Sequence, residues 1–92
     1  MTADEATAAA KEGVKRLKSS GLLQEIRNAG FSVIIKHGFL KRGYNDPVPW
    51  VSIITRSSES AEKLIKEFDE RIRRVLNLQQ SAVIDISVYE TF

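Results

Sequence analysis

Apolar residues recur every three or four positions between residues 58 and 77, a spacing that predicts one long amphipathic helix. The pair Ser57-Ser58 offers hydroxyl groups of the kind that begin helices, and Asn77 is a residue type that often ends them. Charged residues fill the outer face and form pairs four positions apart, such as Glu67 with Arg71. The apolar stripe comprises Ala61, Leu64, Ile65, Phe68, Ile72, Val75 and Leu76.

Three shorter segments alternate apolar and polar positions with a period of two, which predicts β-strands. These strands are expected at residues 31–37, 50–56 and 82–89. In the second strand Val51 and Ile53 share one face, whereas Trp50 and Ile54 share the other. Both faces of the sheet therefore carry apolar side chains, and the long helix can cover only one of them.

The chain ahead of the first strand predicts two helices separated by a break. In one unbroken helix, the apolar residues of segment 22–26 would point away from Val14 and Leu17. The sequence Ser19-Ser20-Gly21 interrupts the helix, Ser19 or Ser20 is the expected N-cap of the second helix, and Gly30 suits the position just after it. The two helices are expected at residues 4–18 and 20–29. Residues 1–12 hold few large apolar side chains, so fraying is expected there.

These elements predict a single α+β domain over residues 1–92. Its element order is α-(α)-β-β-α-β. The expected architecture is a two-layer sandwich in which a small, mainly antiparallel three-stranded sheet packs on the long amphipathic helix. The first two strands form an antiparallel hairpin, and the third strand returns through the helix.

Composition excludes several classes of stabilising site. The chain has no cysteine and one histidine, so neither a disulfide nor a structural zinc site is expected, and no cofactor motif is present. The formal net charge of +2 is only mildly basic. Apolar runs are too short for a membrane span, and the acidic, alanine-rich start does not resemble a secretory signal. We expect a small soluble cytoplasmic domain.

An enzymatic role is not favoured by the sequence. His37 is the only histidine, and Asp85 is the one carboxylate placed among the apolar residues of a strand. The two could form a His–Asp general base if the fold brought them together. Each is more simply interpreted as a polar residue of a strand, and neither nucleotide-binding glycine motif is present. The sequence therefore predicts a protein that is not an enzyme.

Residues 36–50 interleave basic and aromatic side chains and form the strongest candidate binding segment. This mixture suits a protein partner, because aromatic and arginine residues dominate binding hot spots. It also suits single-stranded nucleic acid, because cations attract phosphate and aromatic rings stack on bases. A hairpin whose Phe39, Leu40 and Trp50 pack on the domain's own core is the simplest alternative. The candidate residues are Lys36, His37, Phe39, Lys41, Arg42, Tyr44 and Trp50.

The second face of the sheet is too apolar to be left in water, so a further layer is expected to cover it. Either the two N-terminal helices or a second copy of the chain could do so. We therefore predict a non-enzymatic module that acts through protein–protein contacts and self-associates as a homodimer. A nucleic-acid-binding module that uses residues 36–50 is the alternative. The candidate dimer-interface residues are Ile34, Trp50, Ile54, Val83 and Tyr89.

The element order α-β-β-α-β is similar to that of RNA-binding folds of the second KH type. Those folds carry a GxxG loop between paired helices, and no GxxG tetrapeptide occurs in this sequence. The long helix here is also one continuous element. The similarity is therefore one of element order alone and implies no family.

Overall fold

A computed structural model describes residues 1–41 and 43–88 of the chain; Arg42 and residues 89–92 lie outside the described residues. It confirms the α+β class and the order α-α-β-β-α-β. The elements are α1 (Ala3–Ser19), α2 (Leu22–Asn28), β1 (Ile34–Leu40), β2 (Val48–Thr55), α3 (Ser58–Leu76) and β3 (Val83–Val88).

The three strands form a mixed sheet in which β2 is the central strand. β1 and β2 form an antiparallel hairpin whose register runs from Ile34 opposite Ile54 to Leu40 opposite Val48. β3 returns through α3 and pairs in parallel with β2, beginning with Val83 beside Trp50. Both outer strands therefore have one edge that no other described strand pairs.

The hairpin strands lie closer to the turn than the sequence predicts. β1 covers 34–40 rather than 31–37, and β2 begins at Val48, ahead of Pro49. A proline donates no backbone hydrogen bond, so Pro49 suggests a strand that begins after it. The structure accommodates Pro49 because this end of β2 pairs only with β1, and β3 begins one residue later, opposite Trp50.

The break between α1 and α2 lies where the sequence predicts it, but the expected N-cap of α2, Ser19 or Ser20, is wrong, and the N-cap residue of this helix makes no side-chain capping bond. Gly21 is the N-cap of α2 and has a positive φ of 83°, and the Ser20 hydroxyl accepts a hydrogen bond from the Leu22 backbone N–H. At the other end of α2, Gly30 has φ 99° and its N–H bonds to the Arg27 carbonyl, while the Phe31 N–H bonds to the Ile26 carbonyl. These two bonds form a Schellman motif, which favours glycine because of its positive φ.

α1 begins with a capping box in which Thr2 and Glu5 bond to each other's backbone N–H groups. Behind this cap, Ala6 and Ala10 are fully buried, so the small side chains of the first turns allow α1 to lie close to the rest of the fold. The fraying of residues 1–12 stays a prediction.

α3 begins at the predicted Ser57 cap, whose hydroxyl accepts from the Ser60 N–H, and ends at Asn77 in a left-handed conformation. Two details differ from the sequence-based prediction. The Ile65 side chain, which the pattern places in the apolar stripe, is 45% exposed at its edge. Arg71 does not pair with Glu67 but with Glu25 on α2, because the Glu25 carboxylate accepts a hydrogen bond from each of two guanidinium nitrogens.

The core lies between one face of the sheet and both long helices. α1 packs over β1 and β2, α3 packs over β2 and β3, and the two helices contact each other. The possibility that the N-terminal helices cover the second face of the sheet is therefore wrong. The buried cluster includes Leu17, Ile26, Val51, Ile53, Leu64, Phe68, Ile72 and Leu76.

Arg16 connects the two long helices. Its Nε atom donates to the Val75 carbonyl oxygen at 3.3 Å, and its Nη2 atom donates to the Leu76 carbonyl oxygen. These carbonyls belong to the last turn of α3, which has no intrahelical donors for them.

Within residues 1–41 and 43–88, no helix combines the length and apolar character that a membrane crossing requires.

Candidate functional site

The sheet face opposite the helices, here called the open face, is covered by no described helix. Residues paired between neighbouring strands point to the same side of a sheet, so the register defines which residues belong to this face. It comprises Ile34, Lys36, Gly38 and Leu40 from β1, Val48, Trp50, Ser52 and Ile54 from β2, and Val83, Asp85 and Ser87 from β3.

Trp50 forms the centre of the open face. Its indole Nε1 donates a hydrogen bond of 3.1 Å to Asp85 Oδ2 on β3. On the other side, the Trp50 Cε3 atom would lie 3.6 Å from a methyl group placed on Gly38 of β1. The indole ring therefore lies across all three strands, and it is half-buried there, so part of its surface stays accessible to a partner.

A row of polar residues crosses the open face beside Trp50. Lys36, Ser52 and Asp85 are neighbours in register on β1, β2 and β3. Ser52 is only 3% exposed, and its Oγ lies 3.3 Å from the Ser87 Oγ. Asp85 Oδ1 is buried and has no hydrogen-bond partner among the described residues. The Trp50 N–H is thus the one described side-chain donor to this carboxylate, and no described cation forms an ion pair with it.

Four of the five candidate dimer-interface residues lie together on the open face. Ile34 is 45% exposed, while Trp50, Ile54 and Val83 are half-buried on the same surface. Tyr89 lies outside the described residues. The sequence pattern missed Leu40, Val48 and the polar row as parts of this surface. The strand period alone predicts which residues of one strand share a face, but only the register shows which residues of different strands are neighbours.

The basic and aromatic residues of segment 36–50 do not form one surface. Lys36 and Trp50 lie on the open face, whereas His37 and Phe39 point to the helix-covered side of β1, where both are exposed. Lys41 and Tyr44 lie in the turn, where Tyr44 is fully exposed. Arg42 lies outside the described residues. The three aromatic rings therefore cannot stack on consecutive bases from one direction.

His37 and Asp85 do not form the general base that the sequence left open. They lie on the two outer strands, which are separated by β2, and they point to opposite faces of the sheet. Within the described part of the chain, no three histidine, aspartate or glutamate side chains converge in a way that could hold a metal ion.

A surface cleft of about 260 Å³ lies at the turn end of the open face. It is lined by three apolar residues, Leu40, Val48 and Val83, and by three polar residues, Asn45, Asp46 and Ser81. Its volume is below the roughly 300–1,000 Å³ of typical small-molecule sites. We therefore interpret the cleft as part of the apolar surface of the open face and not as a separate small-molecule site.

In comparisons with other proteins, no protein-family model, no curated protein and no solved structure matches the chain. The similarity to KH folds also remains one of element order. α1 and α2 are joined by Ser20-Gly21 without a GxxG loop, and α3 is a single helix of 19 residues.

Proposed function

We propose that this chain is a non-enzymatic protein-interaction module that self-associates through its open face. One observation carries the proposal: a three-stranded sheet that is packed by helices on one side presents an aromatic and aliphatic surface on the other. Sheets with two apolar faces are normally covered by a layer on each side. A second copy of the chain supplies that missing layer as a second sheet, about 10 Å away.

Trp50 is the expected anchor of the contact. Tryptophan is among the residues that contribute most to protein interfaces, especially near the centre of the contact. Its indole is already held in place by Asp85, so little side-chain freedom is lost when a partner covers it. Ile34 at 45% exposure and the half-buried Ile54 are paired in register and add aliphatic area at one end of the same face.

The size of the open face sets the expected affinity. Three adjacent strands of this length present a patch of roughly 14 Å by 20 Å. Two such patches bury on the order of 1,000 Å² or less in total, which is at the low end for specific complexes. We therefore expect a rapid monomer–dimer equilibrium with a dissociation constant in the micromolar range or weaker, rather than an obligate dimer.

Sedimentation equilibrium over concentrations from micromolar to near-millimolar tests the proposal. The chain offers a matched pair of variants, because Ile34 on the open face and Ile65 on α3 are both 45% exposed. Ile34→Asp should abolish the dimer, since a carboxylate would be buried against an apolar surface. Ile65→Asp should leave the equilibrium unchanged. A single monomer mass up to near-millimolar concentration would refute self-association.

Nucleic-acid binding is the second candidate, and the exposure of both Tyr44 and Lys41 in one turn supports it. An exposed ring and a cation on the same turn suit an unpaired base and its phosphate. The open face does not add to this site, because Asp85 places a negative charge next to Trp50. If this second function is correct, a single-stranded oligonucleotide should bind with a steep salt dependence, and Tyr44→Ala should weaken that binding.

A further inference from the structure

The polar row on the open face is self-complementary, and this property selects one arrangement of two copies. Lys36 and Asp85 occupy the two ends of the row, and Ser52 occupies its centre. One end is therefore positive and the other negative, on strands that lie on opposite sides of β2. A surface with this pattern matches a second copy of itself only if the copies place β1 over β3.

The direction of the two-fold axis between two facing sheets decides which strands lie over each other. An axis perpendicular to the strands keeps β1 over β1, so Lys36 never lies over the partner's Asp85 wherever the axis passes. An axis parallel to β2 and above it places β1 of one copy over β3 of the other. Because Lys36 and Asp85 share one row, each Lys36 then lies opposite Asp85 of the partner subunit, and this contact occurs twice.

We propose that the chain dimerises face to face around a two-fold axis parallel to β2, with Lys36 of each subunit opposite the partner's Asp85. This inference rests on the proposed self-association and specifies its geometry. The strands of the two sheets run nearly aligned, as in packed β-sandwiches. The open-face residues of β2 then lie over the same residues of the second copy, so that Trp50 contacts Trp50 and Ile54 contacts Ile54.

The arrangement also brings a compensating charge to Asp85. In the monomer this half-buried carboxylate accepts one described side-chain hydrogen bond, from Trp50, and its other oxygen is buried without a described partner, so a cation held above it by a second copy acts on its charge rather than by bonding to that buried oxygen. Lys36 is exposed, and its long apolar stem allows the ammonium group to reach across the contact. Opposite charges at these positions fix the orientation of the two copies and disfavour orientations that bring like charges together.

Charge reversal with mixing provides a direct test. Lys36→Glu places a carboxylate opposite the partner's Asp85, and Asp85→Lys places an ammonium group opposite the partner's Lys36. Each variant alone should therefore dimerise at least roughly tenfold more weakly than wild type. An equimolar mixture should form a heterodimer. In that heterodimer, one subunit supplies both carboxylates and the other supplies both ammonium groups, so each of the two contacts joins opposite charges. Lys66→Glu on the outer face of α3 is the matched control and should behave as wild type.

Each outcome has a defined meaning. If wild type dimerises and either single variant does so equally well, or if the mixture stays monomeric, the arrangement is refuted while self-association stands. If wild type does not dimerise, the proposed function fails as well. Circular dichroism checks that each variant is folded. Asp85→Asn removes the charge but keeps the hydrogen bond, because the asparagine side-chain oxygen still accepts from the Trp50 N–H. Should Asp85→Lys fail to fold, Asp85→Asn and Lys36→Met should each weaken the dimer, and an unchanged equilibrium would refute the arrangement.

Discussion

Gly13 on α1 lies directly against Leu76 at the end of α3. A methyl group on Gly13 would come within 3.3 Å of the Leu76 Cδ2 atom and within 3.4 Å of its carbonyl oxygen. The same carbonyl accepts a hydrogen bond from Arg16, about one turn further along α1. The end of α3 is therefore held against α1 at two points, and the absence of a side chain at Gly13 permits this close approach.

We expect Gly13→Val to lower the free energy of unfolding by about 1–3 kcal/mol, because extra methyl groups must displace packed neighbours. Gly13→Ala should change it by less than about 1 kcal/mol, since the gain in helix propensity offsets the tighter contacts. Urea denaturation measures both. Ala8→Val, at an exposed position of α1, is the control. A Gly13→Val midpoint equal to that of the control would show that the two helices can separate freely.

Phe68→Ala should destabilise the domain by about 3–5 kcal/mol, a large part of the stability of a domain of this size. The Phe68 ring is 5% exposed, its centroid lies 6.0 Å from that of Phe31 in an edge-to-face contact, and the Arg71 guanidinium lies 5.6 Å from it. Ile65→Ala on the same helix should cost less than about 1 kcal/mol, because Ile65 is 45% exposed. Equal urea midpoints for the two variants would contradict the burial of Phe68.

The stability of the fold should decrease below pH 4.5 partly through Glu25. Arg71 donates two hydrogen bonds to its carboxylate, at 2.8 and 2.6 Å, and they lower the pKa of Glu25 below its ordinary value of 4.5. A carboxylate with a lower pKa in the folded state stabilises the fold above the unfolded-state pKa, and this contribution is lost as the pH falls through the folded-state pKa. Glu5 adds to the same window, because hydrogen bonds with Thr2 lower its pKa as well.

Thermal melts between pH 7 and pH 3 measure this contribution. Glu25→Gln should make the decline of the melting temperature below pH 4.5 shallower than in wild type. Arg71→Gln should give the same shallower curve, and the double variant should add nothing further, because both changes remove one interaction. A Glu25→Gln curve parallel to that of wild type would mean that the pair does not persist in solution.

Trp50 should report on the proposed interface directly, because it is the only tryptophan in the chain. As the concentration rises through the dimerisation range, its emission should shift to shorter wavelength and its quenching by acrylamide should decrease, since a second copy covers the indole. The monomeric Ile34→Asp variant should show neither change. Unchanged quenching in a sample whose mass has doubled would place the dimer contact away from the open face.

The sequence by itself determined the local elements of this protein. The 3.6-residue period of α3, its Ser57 cap, the left-handed Asn77 and the helix break at Gly21 all depend on neighbouring residues, so they can be predicted from the printed sequence. The alternation in β2 likewise predicts that Val51 and Trp50 point to opposite faces. The strand limits were less predictable, because pairing with a distant segment extended β2 past Pro49.

Only the tertiary structure decided which elements meet. Strand order and register separated His37 from Asp85, joined Asp85 to Trp50, and placed Lys36 in the same row as Asp85. Packing put α1 on the same face as α3, which left the second face of the sheet open among the described residues. These relationships connect residues that are far apart in the chain, and they follow from the burial and pairing of the whole domain, which no local pattern of residues contains.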